Sequence, residues 1–99
     1  SLKLERRRPA DSSSPRLFLT PMESKLIQVF IENPGKLLSH RELVLLIHGY
    51  ETTDQEAPEV LRPLISRLRH KLESIPGGRK WIRSIRGIGY IFEIEPGTP

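Results

Sequence analysis

Residues 60–92 read VLRPLISRLRHKLESIPGGRKWIRSIRGIGYIF, and two periods meet inside that run. Leu61, Leu64 or Ile65, Leu68 and Leu72 recur at the spacing of one face of an α-helix. Arg62, Ser66, Arg69 and Glu73 fall on another face, with Arg67, His70 and Lys71 beside them. A proline is tolerated in the first helical turn, where the N–H groups have no intrahelical partner, so Pro63 implies either a helix that begins near Val60, the favoured reading, running to about Ser74, or a longer one kinked near Pro63. Ile75–Gly78 (IPGG) breaks it. The period then becomes two: Trp81, Arg83 and Ile85 alternate with Lys80, Ile82 and Ser84, predicting a strand that Trp81 opens as a packing residue. Gly87 and Gly89 let the chain reverse and let its backbone pass close to a neighbour, and YIFEI follows as the second strand of a β-hairpin.

Two more helices precede this unit. In TPMESKLIQVFIENPG, Thr20 is an N-cap, Pro21 suits the first helical position and Glu23 closes a capping box. Met22, Leu26, Ile27, Val29 and Phe30 form the apolar stripe, and Asn33–Gly35 stops the helix. In SHRELVLLIHGY, Ser39 and Glu42 repeat the box, Leu43, Leu46 and Ile47 are the expected buried stripe, and Gly49 ends it. ETTDQEAP is polar and acidic and reads as a loop. Within an N-terminal arm of residues 1–16, the stretch 5–16 (ERRRPADSSSPR) is rich in proline, serine and charge and reads as a linker, Arg6–Arg8 included. Leu2 and Leu4 before it, and Leu17 and Leu19 after it, alternate as short N-terminal strands would. The expected fold is α+β: a winged helix-turn-helix with short N-terminal antiparallel strands, three helices and a C-terminal β-hairpin wing over residues 17–95, followed by a tail at 96–99.

The net charge of +4 is unevenly placed. Residues 1–16 carry +3, residues 17–57 carry −3 and residues 58–99 carry +4. Between Val60 and Phe92 the only acid is Glu73, and that stretch carries +7. Segregation of this kind points to a polyanionic partner. A basic helix suits the major groove of a duplex, and an arginine-tipped hairpin suits the negative potential of a narrow minor groove.

Other chemistry lacks its residues. There is no cysteine for a disulfide or thiolate site. His40, His48 and His70 lack ligand spacing, Ser39 and Ser66 lack triad partners, and GIGYIF neither follows a βα unit nor opens a helix. No enzyme activity and no cofactor are expected. No apolar run reaches a membrane-spanning length, so a cytoplasmic protein is expected. A chain that starts at Ser1 and has Met22 as its only methionine reads as a piece of a longer protein.

LTPMESKLIQVFIENPGKLLSHRELVLLIHGY, ISRLRHKLE and WIRSIRGIGYIF together resemble the winged-helix DNA-binding output domain of OmpR/PhoB-family bacterial response regulators. The resemblance runs from Leu17 to Phe92 and rests on four motifs in series. It implies that the third helix enters the major groove, with Arg67 at a base-contacting position and Arg69 at a backbone-contacting one. Ser84 and Arg86 match the wing residues that touch the backbone or minor groove. The Gly49–Pro58 loop matches a segment implicated in contacting RNA polymerase. Double-stranded DNA bearing direct-repeat sites is the implied ligand, and an N-terminal receiver domain drives dimerisation. The candidate DNA-binding residues are His48, Arg62, Leu64, Ser66, Arg67, Arg69, His70, Lys71, Ser84 and Arg86. On that resemblance Arg69, Lys71, Arg86 and Lys80 would supply phosphate contacts that set affinity and register, and Arg67 with its neighbours would supply base discrimination. Departures from the family pattern cluster near the third helix: His48 replaces a tryptophan, Arg62 a frequent aspartate, Pro63 a β-branched residue and Leu64 a polar base reader. Leu64 can meet a thymine methyl or pack in the core. The alternative function is a winged helix for protein contacts, or for non-specific DNA binding only.

Overall fold

The computed structural model describes residues 18–94; the expected arm, N-terminal strands and tail lie outside them, apart from Leu19, which is irregular. Helix α1 spans Pro21–Glu32. Its predicted capping box is formed: the Glu23 N–H donates to Thr20 Oγ1 at 3.2 Å and the Thr20 N–H donates to Glu23 Oε1 at 3.0 Å. Leu26 and Phe30 are buried, with Met22, Ile27 and Val29 packed beside them.

After the Asn33–Gly35 turn the chain makes a strand that the sequence reading did not anticipate, β1 (Leu37–Ser39). Three residues are too few to show a period of two. Ser39 then caps α2 (His40–His48), again with a complete box closed by Glu42, and Gly49 ends the helix in a left-handed conformation. The buried stripe differs by one position from the expected one. Leu43, Val44 and Ile47 are buried, whereas Leu46 is exposed.

Helix α3 spans Glu56–Leu72, so it begins four residues before Val60 and ends before Ser74. Part of the expected loop is therefore its first turn, where Thr53 Oγ1 accepts from the Glu56 N–H at 3.1 Å. Pro63 consequently lies in the helix interior rather than in its first turn. An interior proline forfeits one helical hydrogen bond and costs about 3 kcal/mol. Burial offsets this: each fully buried Leu or Ile contributes roughly 1.5–3 kcal/mol, and Leu61, Leu64, Ile65, Leu68 and Leu72 are all 4% exposed or less.

A 3₁₀ turn at Gly78–Lys80 leads into the hairpin, β2 (Ile82–Ile85) and β3 (Gly89–Phe92). Trp81 precedes the strand rather than opening it, and its ring meets Phe92 edge-on with centroids 6.2 Å apart, the packing role expected of it. The sheet is antiparallel in the order β1-β3-β2, with Leu38 opposite Tyr90 and Ser84 opposite Tyr90 on the other side. The two glycines of the turn have separate jobs. Gly87 adopts φ +76°, which side chains disfavour. A Cβ on Gly89 would lie 1.9 Å from the Leu38 carbonyl oxygen, so only glycine lets β1 close against β3. The three helices and one sheet face enclose a single core around Phe30, Leu38, Leu43, Leu61, Leu68 and Phe92.

Candidate nucleic-acid interface

The outer face of α3 and the hairpin bound an open cleft of about 380 Å³, lined by Arg62, Ser66, Arg69, His70, Arg79 and Ser84 among others. Arg69 is its central strut. Its Nε and Nη2 donate to the Ile82 carbonyl at 3.2 and 2.8 Å, and Nη2 also donates to Ser84 Oγ at 3.0 Å. The guanidinium lies over the Tyr90 ring, 5.9 Å from its centroid. One side chain thus fixes the wing's position relative to the third helix. Arg62 makes no hydrogen bond or ion pair among the described residues and is exposed.

Five of the ten sequence-predicted residues meet in this cleft: Arg62, Ser66, Arg69, His70 and Ser84. Leu64 does not face it. At 4% exposure it belongs to the core, which decides between its two readings against base contact. Arg86 sits in the exposed hairpin turn, and His48 ends α2, its ring stacked on Tyr50 at 5.4 Å.

Arg67 and Lys71 point toward α1, where they flank Glu23. The Glu23 carboxylate is fully buried. Lys71 Nζ donates to its Oε1 at 2.5 Å and to the Phe18 carbonyl at 2.8 Å, and Arg67 Nε donates to its Oε2 at 3.3 Å. Burial alone would push the Glu23 carboxyl up. The hydrogen bonds from Lys71 and the Thr20 backbone, the Lys71 charge and the Arg67 hydrogen bond outweigh burial and hold the carboxyl below its ordinary range. Lys71 is largely committed to this contact, with 31% of its side chain exposed; Arg67 is held by one nitrogen and stays 58% exposed. On α2, burial and the Arg62 charge disfavour the charged form of the His40 imidazole and hold its pKa below the ordinary value against the pull of Asp54.

The sequence reading missed two participants. Arg79 enters the cleft from the 3₁₀ turn, and Glu23 was read only as a cap. The local signal for Arg79 was its place in the basic run; nothing local marked Glu23 as the partner of residues 44 and 48 positions away.

Residues 14–92 match the family described as "Transcriptional regulatory protein, C terminal". The chain belongs to that family, of OmpR/PhoB type. Its winged-helix fold is that of response-regulator output domains. The chain is 34% identical over 87 residues to the "Probable transcriptional regulator ycf27" of Galdieria sulphuraria, covering 88% of this chain and 34% of that protein. It is 34% identical over 79 residues to the "Transcriptional regulatory protein BaeR" of Escherichia coli O6:H1, covering 80% and 32%. The chain spans about a third of the length of the curated relatives it matches. Among solved structures, the DNA-binding domain of response regulator AdeR, crystallised with an intercistronic region, superposes with a TM-score of 0.63 at 28% identity, covering 79% of this chain and 74% of that one. The C-terminal domain of the nisin resistance regulator NsrR shares the fold, with a TM-score of 0.61 at 24% identity over 81% of this chain and 78% of that one. No helix among the described residues is long and apolar enough to cross a membrane.

Proposed function

We propose that this output domain binds double-stranded DNA sequence-specifically, with α3 in the major groove and the hairpin on the adjacent minor groove. The observation that carries this reading is the cleft between α3 and the hairpin, which gathers Arg62, Ser66, Arg69, His70 and Ser84 on one side of a stretch carrying +7. Arg62, Ser66 and His70 project from the exposed face of α3, where they meet base edges and phosphates. Arg86 at the hairpin turn meets the minor groove. Arg69 spends two of its nitrogens on the hairpin, which prepositions helix and wing and lowers the ordering cost of binding. Arg67 reaches bases with the guanidinium nitrogens that Glu23 leaves unused. In the whole protein, a receiver domain pairs two such domains on direct repeats. A separate face fits a protein contact: Leu45, Leu46 and Tyr50 are each 46–48% exposed on and just after α2, beside the Gly49–Pro58 segment proposed to meet RNA polymerase.

The test is fluorescence anisotropy on a duplex selected from a random pool, beside a scrambled control, across a salt series. The selected duplex is expected to bind at least about tenfold tighter, which corresponds to about 1.4 kcal/mol. Both duplexes should weaken steeply with salt as counterions compete. Salt-dependent binding with no enrichment would leave only non-specific DNA binding. No binding at all would hand the domain to the protein-contact reading.

A further inference from the structure

Eight basic residues and one acid occupy Val60–Phe92, and that acid, Glu73, stands inside the cleft. Its place is a poor one for helix stability. Glu73 is the C-cap of α3, where the helix dipole disfavours a negative charge. Its carboxylate instead faces two basic side chains of the cleft. Arg79 Nη1 donates to Glu73 Oε2, and His70 Nδ1 lies 3.6 Å from Glu73 Oε1. Both partners are open to solvent, with 70% of the Arg79 and 82% of the His70 side chain exposed, against 36% for Glu73. An ion pair this exposed contributes little to folding. What it does is occupy Arg79. A carboxylate and a phosphodiester each present two acceptor oxygens to a guanidinium, so the donors that hold Glu73 are the donors a DNA phosphate would use.

We propose that Arg79 is a further phosphate-contacting residue of the DNA interface, and that Glu73 is its internal competitor. In the free domain Glu73 holds the Arg79 guanidinium; a backbone phosphate entering the cleft displaces the carboxylate and takes its place. This rests on the DNA-binding reading of the same cleft. Arg79's contribution to binding is then diminished by the pair that must be broken, and removing Glu73 releases it.

The test is a double-mutant cycle on binding of the selected duplex by wild type, Glu73→Gln, Arg79→Gln and the double variant, with urea unfolding of each to check that the fold is kept. Wild type is measured first: if it does not bind duplex DNA, the DNA reading and this proposal fall together. If it binds, Arg79→Gln is expected to cost about threefold more affinity in the Glu73→Gln background than in wild type, the scale of one exposed ion pair. Equal losses in the two backgrounds would mean that Glu73 acts only as a generic negative charge, and would overturn the competition. No loss in either background would remove Arg79 from the interface. Both outcomes leave the DNA-binding reading standing.

Discussion

Two glutamates of this domain each face two basic side chains, and their surroundings give them opposite roles. Glu23 is fully buried between Lys71 and Arg67, and it joins the N-terminus of α1 to the flank of α3. Glu73 is over a third exposed and faces Arg79 and His70 at the rim of the cleft. A buried carboxylate cannot recover its hydration, so its hydrogen bonds must persist for the fold to persist. An exposed one trades its partner for water, salt or another anion at little cost. Burial, not pairing chemistry, separates a lock from a latch.

The most severe way to break that comparison is Lys71→Met. It leaves the Glu23 charge buried with Arg67 as its sole cation, and we expect a loss of about 3 kcal/mol in urea unfolding. A loss below about 1 kcal/mol would mean that the lock is no stronger than a surface pair. Glu23→Gln should cost less, roughly 1–2 kcal/mol, because no charge is stranded and both cations can reach solvent.

The same variant sharpens the comparison through pH. The folded state holds the Glu23 carboxyl below its ordinary value of 4.5, so the unfolded chain takes up the proton first. The stability this contributes is complete above about pH 4.5 and is lost as the pH falls through the depressed folded value. Wild type should therefore show an acid limb that is shallower in Glu23→Gln; parallel limbs would remove Glu23 as its source. Arg67→Ala comes next. With more than half its side chain exposed it should cost under about 1 kcal/mol of stability, yet reduce the preference for selected over scrambled DNA. A uniform loss on both duplexes would make Arg67 a phosphate contact rather than a base reader, and no loss on either would make it a strut alone. The smallest change in stability belongs to Glu73→Gln, within about 0.5 kcal/mol of wild type, its effect falling on DNA affinity instead.

Much of the fold was legible because its signals are local. Both capping boxes, the Gly49 stop and the hairpin turn at Gly87 involve residues a few positions apart. The misses mark where locality ends. Strand β1 exists because β3 offers it partners some 50 residues later, and three residues carry no pattern of their own. Helix α3 starts four residues before the expected Val60 because Pro58 and the acidic Glu56 and Glu59, not Pro63, occupy its first turn. Val44 replaced Leu46 in the core because both fit a helical stripe, and only the neighbouring elements choose between them.

The site divides in the same way. The sequence by itself determined that a basic helix precedes an arginine-rich hairpin, since charge order and periodicity are properties of the chain. It also located the lone acid among eight bases. Which bases face the cleft, which are spent on Glu23, and that Leu64 packs inward were decided only by tertiary structure. A helix presents cations over a wide arc, and the free energy of each depends on whether its neighbour is a buried carboxylate, a backbone carbonyl or water. Those neighbours come from distant parts of the chain, so spacing along the sequence could not assign them.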